Sequence, residues 1–178
     1  MDGAPVAIPG AKPRAILTML GLHHGSIVAA GTLVELLWGD DPPRTADKAL
    51  QTHISSLRRT LGDGFVVTEG TGWTLSTTEI DAARYELAAR TGRAAGDTSA
   101  AVARFDEALA LWRGIPELPD TARGASEKTR WAEGHAALVE DRADALLATG
   151  RAAEIVGELE AAVADAPLRE RRWGQLML

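Results

Sequence analysis

Across residues 12–76 the spacing of apolar side chains is helical three times and then turns to alternation, an order that few folds accommodate. From Lys12 a helical stripe carries Ile16, Leu17, Met19 and Leu20 until Gly21 and Gly25 interrupt it. In "GTLVELLWGDDPP" the expected N-cap is Thr32, the short apolar face is Leu33, Leu36 and Leu37, and Gly39 with Pro42-Pro43 ends the helix. The third and longest helical segment spans 45–61. After Gly62-Asp63-Gly64, "FVVTEGTGWTLST" holds two β-rich runs separated by Gly70-Thr71-Gly72, the pattern of a hairpin.

Three helices, the last one long, followed by a hairpin form the order of a winged helix-turn-helix. Past Ile80 strand signals stop, and alanine-rich helical segments follow, divided at Gly96-Asp97, residues 114–124, Gly150 and Pro167. Here Tyr85, Ala89, Gly96, Ala101, Phe105 and Ala108 match Val139, Ala143, Gly150, Ile155, Leu159 and Ala162 at a constant offset of 54 residues. Small residues that let two helices approach and a glycine at the turn mark a tetratricopeptide-like pair. The offset exceeds the usual repeat of about 34 residues, so "WRGIPELPDTARGASEKTRW" is expected to be an irregular insertion or an extra turn of structure. The expected fold class is mainly α: a winged helix-turn-helix with a small β-hairpin wing over 1–78, then an all-α tetratricopeptide-like helical domain over 79–178. At the start, "MDGAPVAIPG" holds a hairpin-turn dipeptide, Asp2-Gly3, and a short extended run, Val6-Ala7-Ile8, so either the hairpin is incomplete here or the natural protein is expected to begin before Met1. At the end, "PLRERRWGQLML" begins a helical pattern that stops without a covering helix, so the helical domain is expected to continue or to be covered by another chain.

With 178 residues, 46% of them hydrophobic, the chain can bury a real core. It has no apolar run near the roughly 18 residues of a membrane span and no secretion signal, so no membrane partner and a cytoplasmic location are expected. The absence of cysteine removes disulfides, thiolate zinc sites and thiol nucleophiles together. The net charge of −6 argues against indiscriminate coating of nucleic acid, which depends on Lys and Arg displacing counterions. That charge is uneven: residues 1–78 hold six basic and seven acidic side chains, against thirteen and eighteen in the rest. Any contact with nucleic acid must therefore be local.

The third helix supplies such a locality. At about 100° per residue, Ala46, Leu50, Ile54, Leu57 and Leu61 fall within about 80° and form the core stripe. Opposite lie Lys48, Thr52, Ser55 and Arg59, flanked by Arg44, Gln51, Ser56 and, nearer the core edge, Arg58. This face has no acid; Asp47 sits beside the core stripe near the helix start, where a carboxylate favours the helix dipole. Solvated faces ordinarily mix signs as i,i+4 pairs. A face holding only cations and neutral hydrogen-bonding groups suits phosphate oxygens and base edges.

On "LLWGDDPPRTADKALQTHISSLRRTLGDG…VVTEGTGWTL" the first half resembles the OmpR-type winged helix of the Streptomyces antibiotic regulatory protein family. "EALALWRG" and "PLRERRWGQLML" resemble the bacterial transcriptional activator domain that follows it there. The resemblance implies a recognition helix at 45–61 in the major groove, with Lys48, Thr52, His53, Ser55, Ser56 and Arg58 meeting bases or phosphates. The helical wheel adds Gln51 and Arg59 and sets His53 near the core edge. Trp38 corresponds to a residue that touches phosphate through its indole N–H, with a core anchor under the loop 40–43 as the equal alternative, and Thr71 falls at the wing tip. The resemblance further implies promoter DNA as partner, a homodimer on direct repeats, contact of the loop 40–43 with RNA polymerase, and activation, often at secondary-metabolite genes. One departure is Glu69 beside the wing turn, where many relatives carry arginine; a carboxylate there is repelled by phosphate.

Other constellations point to no chemistry. His23-His24 are adjacent, so they diverge by about 100° on a helix, and no ligand stands at metal spacing nearby. Glu127, Glu133, Glu140, Asp141 and Asp144 alternate with Lys128, Arg130 and Arg142, the pattern of a salt-bridged helix surface. No phosphate-binding glycine loop or Gly-x-Ser-x-Gly motif is present. No catalytic, cofactor-binding or metal residues are expected, and the chain is not expected to be an enzyme. Trp112, Trp131 and Trp173 read as packing residues between helices, with anchoring of a partner as the alternative for any that is exposed. The rival to a DNA-binding regulator is an interaction module whose helical repeats are the working part.

Overall fold

A computed structural model describes residues 6–77 and 79–178, which form two compact units. The first comprises the chain up to Ala83 together with Arg113–Trp131. Its three opening helices, α1 (Ala11–Leu22), α2 (Ala30–Trp38) and α3 (Ala46–Leu61), enclose Ile16, Met19, Leu20, Leu33, Leu36, Leu50, Ile54 and Leu57, all at most 1% exposed. The spacing within α3 does what its periodicity predicts: Ala46, Leu50, Ile54 and Leu57 are buried and Leu61 is half-buried. Each fully buried Leu or Ile of this kind contributes about 1.5–3 kcal/mol.

The hairpin forms as expected, with β2 (Val66–Glu69) antiparallel to β3 (Gly72–Leu75), Val66 opposite Leu75 and Glu69 opposite Gly72. A third strand, β1 (Val28–Ala29), pairs with the other edge of β3, giving the order β1-β3-β2. Two residues without alternation carry no signature in sequence. The approach of β1 depends on Gly72, because a Cβ there would collide with the Val28 carbonyl oxygen. The run Val6-Ala7-Ile8 forms no strand and joins neither outer edge of this sheet; the Asp2-Gly3 turn lies outside the described residues. Thr32 is inside α2 and does not cap it. The helix begins at Ala30, whose N–H is bound by the Thr71 carbonyl at 3.1 Å, so β1 and the hairpin supply the acceptor that a capping side chain would have given.

Arg113–Trp131, irregular by sequence, packs within this first unit, burying Leu118 and Trp131. The Thr121 hydroxyl donates to the Leu36 carbonyl at 3.0 Å and accepts the Gly124 N–H at 3.1 Å, satisfying the end of one helix and the start of another. Arg123 reaches Glu35 at 2.8 Å, and His23 Nε2 lies 3.2 Å from the buried Glu127 carboxylate. Gly39, at φ 61°, makes the turn out of α2 in a backbone conformation that favours glycine.

The second unit comprises Arg84–Trp112 and Ala132–Leu178. Its elements come from α4 (Asp81–Arg93), α5 (Thr98–Ala110), α6 (Ala122–Ala148), α7 (Val156–Asp165), which follows a 3-10 turn at Ala152–Glu154, and α8 (Glu170–Leu176). The matched positions Ala89 and Ala143, Ala101 and Ile155, and Phe105 and Leu159 are all buried, as the 54-residue offset requires. Gly92 admits the Phe105 ring, which a Cβ would meet at 2.5 Å. The salt-bridged helix surface expected of the α6 carboxylates holds at Glu133, Asp141 and Asp144 and needs correction at Glu140 and Glu127, which are buried. Glu140 is 4% exposed and holds Arg169 Nε at 2.6 Å and Arg172 Nε at 3.2 Å, while Glu127 in the first unit is 5% exposed. Their burial follows from α6 being covered by segments distant in sequence, so the partners of Glu140 come from 29 and 32 residues away. Among the described residues no helix is long and apolar enough to cross a membrane.

Candidate nucleic-acid interface

The core stripe of α3 turns the opposite face outward, where Lys48, Gln51, Thr52, Ser55 and Arg59 are all exposed, with Arg44 exposed in the turn just before the helix. A 16-residue helix is about 24 Å long and of a width that the major groove of duplex DNA admits. Arg44, Lys48 and Arg59 have no carboxylate at ion-pair distance among the described residues, so their charge is left for an external anion. Gln51 and Ser55 offer donors and acceptors between them. The Thr52 hydroxyl donates to the Lys48 carbonyl at 2.9 Å and keeps its lone pairs for accepting.

His53, Ser56 and Arg58 are only half-exposed. Burial, and then the nearby Lys12 charge, hold His53 below the ordinary histidine value of 6.5, so it is neutral at neutral pH and no part of the cationic face. Arg58 is committed inside the unit. Its Nε donates to the Val66 carbonyl at 2.8 Å and its Nη2 to Thr68 Oγ1 at 2.7 Å, fastening α3 to β2. The Val66 acceptor is a main-chain carbonyl, which no side-chain pattern announces.

The wing turn places Thr71 at the exposed tip, with exposed Glu69 just before it. The Thr71 carbonyl is occupied by Ala30, so the tip is anchored to the start of α2. Trp38, half-buried at the end of α2, has Lys12 Nζ 4.4 Å from its ring centroid. Lys12 received no role from the sequence pattern, because a cation on an aromatic face is set by tertiary packing. The loop 40–43 is exposed throughout and is braced from behind by the Thr121 and Arg123 contacts to α2.

Residues 80–178 match the family model of the bacterial transcriptional activator domain, and residues 7–75 match that of the C-terminal domain of transcriptional regulatory proteins. The regulatory protein AfsR of Streptomyces coelicolor is 37% identical over 99% of this chain, which spans only 18% of AfsR. The regulatory protein DnrI of Streptomyces peucetius is 32% identical, with 99% of this chain and 72% of DnrI covered. Among solved structures, Mycobacterium tuberculosis EmbR in complex with a low-affinity phosphopeptide superposes with a TM-score of 0.86 at 30% identity, over 98% of this chain and 50% of that one.

Proposed function

The chain belongs to the Streptomyces antibiotic regulatory protein family, and on that premise we propose that it is a sequence-specific regulator that binds promoter DNA through α3 and carries out no catalysis. The observation that supports this most is the exposed face of α3, where Lys48 and Arg59, with Arg44 in the turn before the helix, stand without carboxylate partners beside Gln51, Thr52 and Ser55. Cations that displace phosphate counterions supply affinity, and neutral groups between them supply base discrimination. In this reading α3 lies in the major groove, and two copies bind direct repeats as a homodimer. The exposed loop 40–43 contacts RNA polymerase to activate transcription, secondary-metabolite genes being among the targets, in the cytoplasm. Glu69 makes the wing a support for α3; Thr71 is its contact candidate, through a backbone held in place by Ala30.

The test is selection of bound sites from a random duplex pool, followed by titration of the selected and a random duplex at two salt concentrations. A specific component with steep salt loss is expected. The selected sites should be direct repeats. Equal and negligible binding to every duplex overturns the DNA reading in favour of the helical repeats as the working part.

A further inference from the structure

We infer, on the premise that α3 binds DNA, that Lys12 in the first turn of α1 is a phosphate-contacting residue of the same interface, stationed by the Trp38 ring. Its Nζ lies 4.4 Å from the ring centroid, and an aromatic face orients a cation without cancelling its charge. A carboxylate partner would cancel it, and among the described residues Lys12 has none. Lys128, which lines the same surface groove of about 640 Å³, is by contrast paired with Asp120 at 2.7 Å. Lys12 also stands close to α3, since its charge is felt at His53, half-exposed near the core edge of that helix.

The chemistry of the group sets what it contributes. An ammonium on a flexible stem is a compact point charge that suits a phosphate oxygen, whereas bidentate reading of a base edge favours a guanidinium. Lys12 therefore adds affinity that is indifferent to sequence, unlike the residues in the groove. Trp38 gains a function that neither reading of the residue from sequence contained, that of holding the cation in place.

The test compares wild type, Lys12→Met and Lys12→Arg, measuring affinity for the selected and random duplexes as a function of salt. Methionine keeps an unbranched apolar stem over Trp38 without the charge, and circular dichroism reports whether the fold is kept. For Lys12→Met the slope of log affinity against log salt should fall by about 0.9, the share of one phosphate, and affinity by about fivefold at 0.15 M salt for both duplexes alike. Lys12→Arg should restore both. The His53 titration, followed by NMR, should move upward in Lys12→Met, which checks the proximity independently of DNA. An unchanged slope in Lys12→Met, with wild type binding DNA steeply, overturns the role of Lys12 and leaves α3 as the reader. A wild type without salt-dependent binding overturns the DNA reading of α3 and the role of Lys12 with it.

Discussion

Two groups of basic side chains, one in each unit, are used in opposite ways. In the second unit Arg93, Arg104, Arg142, Arg151, Arg169, Arg171 and Arg172 each rest on at least one carboxylate, several of them on two. Lys48 and Arg59 on the outward face of α3, and Arg44 in the turn before it, rest on none among the described residues. Of these two groups, only the second can release counterions onto a polyanion, because a guanidinium already neutralised within the fold has little charge left to offer. Net charge is thus a poor guide to partners: −6 overall coexists with a face that carries only positive charge. What matters is which charges the fold leaves unspent.

The contrast breaks most visibly at Glu140. Replacing it with alanine strands Arg172, itself 7% exposed, and withdraws the shared partner of Arg169. Removing one member of a buried pair costs about 3–5 kcal/mol, because a charge is left without compensation in a poorly solvated site. Urea unfolding followed by circular dichroism should show that loss. A change under 1 kcal/mol would mean that Arg172 finds enough in the Ala162 carbonyl, which it also reaches at 2.8 Å.

The neighbours Arg58 and Arg59 carry the same contrast within a single helical turn. Arg58→Ala removes two charge-assisted hydrogen bonds between α3 and β2 and should cost about 1.5–3 kcal/mol of stability. Arg59→Ala touches no partner within the fold and should stay within about 0.5 kcal/mol in stability, while weakening specific DNA binding by about 1–3 kcal/mol if it reads a base and by less if it meets only phosphate. Thermal melts and titrations on both variants separate the two roles. If Arg59→Ala lowered stability as far as Arg58→Ala, the division between spent and unspent cations would fail.

Why this division was only half legible follows from where each partner lies. The burial of Leu50, Ile54 and Leu57 is a local consequence of spacing, so the outward face of α3 can be drawn from periodicity alone. The hairpin and the matched pair Phe105 and Leu159 are legible for the same reason. Arg58 is different: its partners are a carbonyl and a hydroxyl 8 and 10 residues on, across a turn whose geometry is not in the pattern. The placement of Arg113–Trp131 in the first unit, the burial of Glu140 and the seat of Lys12 on Trp38 all depend on tertiary packing. Helical position 140 looks solvated until the chain returns from residue 169 to cover it.

Acid should separate the units' ion pairs from one another by a smaller amount. Burial pushes the Glu127 carboxyl up, but the hydrogen bond from Arg130 and the charges of His23 and Arg130 outweigh it, leaving Glu127 below its ordinary 4.5. A carboxyl lowered in the folded state stabilises above the unfolded value, and that contribution is lost as pH falls through the folded one. Wild type should therefore lose stability below about pH 4.5 more steeply than Glu127→Gln does, which unfolding curves at pH 7 and in that acid window would measure. Parallel curves for the two would show that the pair contributes nothing to folding.

The finest test concerns His53, the one titratable group of α3 that would join the unspent cations if it took a proton. Burial and the Lys12 charge keep its value below 6.5, so from pH 7.5 to 6.5 the neutral form should predominate and His53 should not add a full phosphate contact. The slope of log affinity against log salt should then be the same at both pH values, and His53→Gln should not alter it. The sign for folding is opposite to that of a lowered carboxyl: a histidine that resists its proton in the folded state is protonated more readily in the unfolded chain. Acidification through 6.5 therefore draws stability away, and Lys12→Met, by lifting one of the two causes, should lessen that loss. A slope that steepened toward pH 6.5 in wild type but not in His53→Gln would place a charged imidazole against the DNA, and α3 would then carry a pH-dependent cation beside its permanent ones.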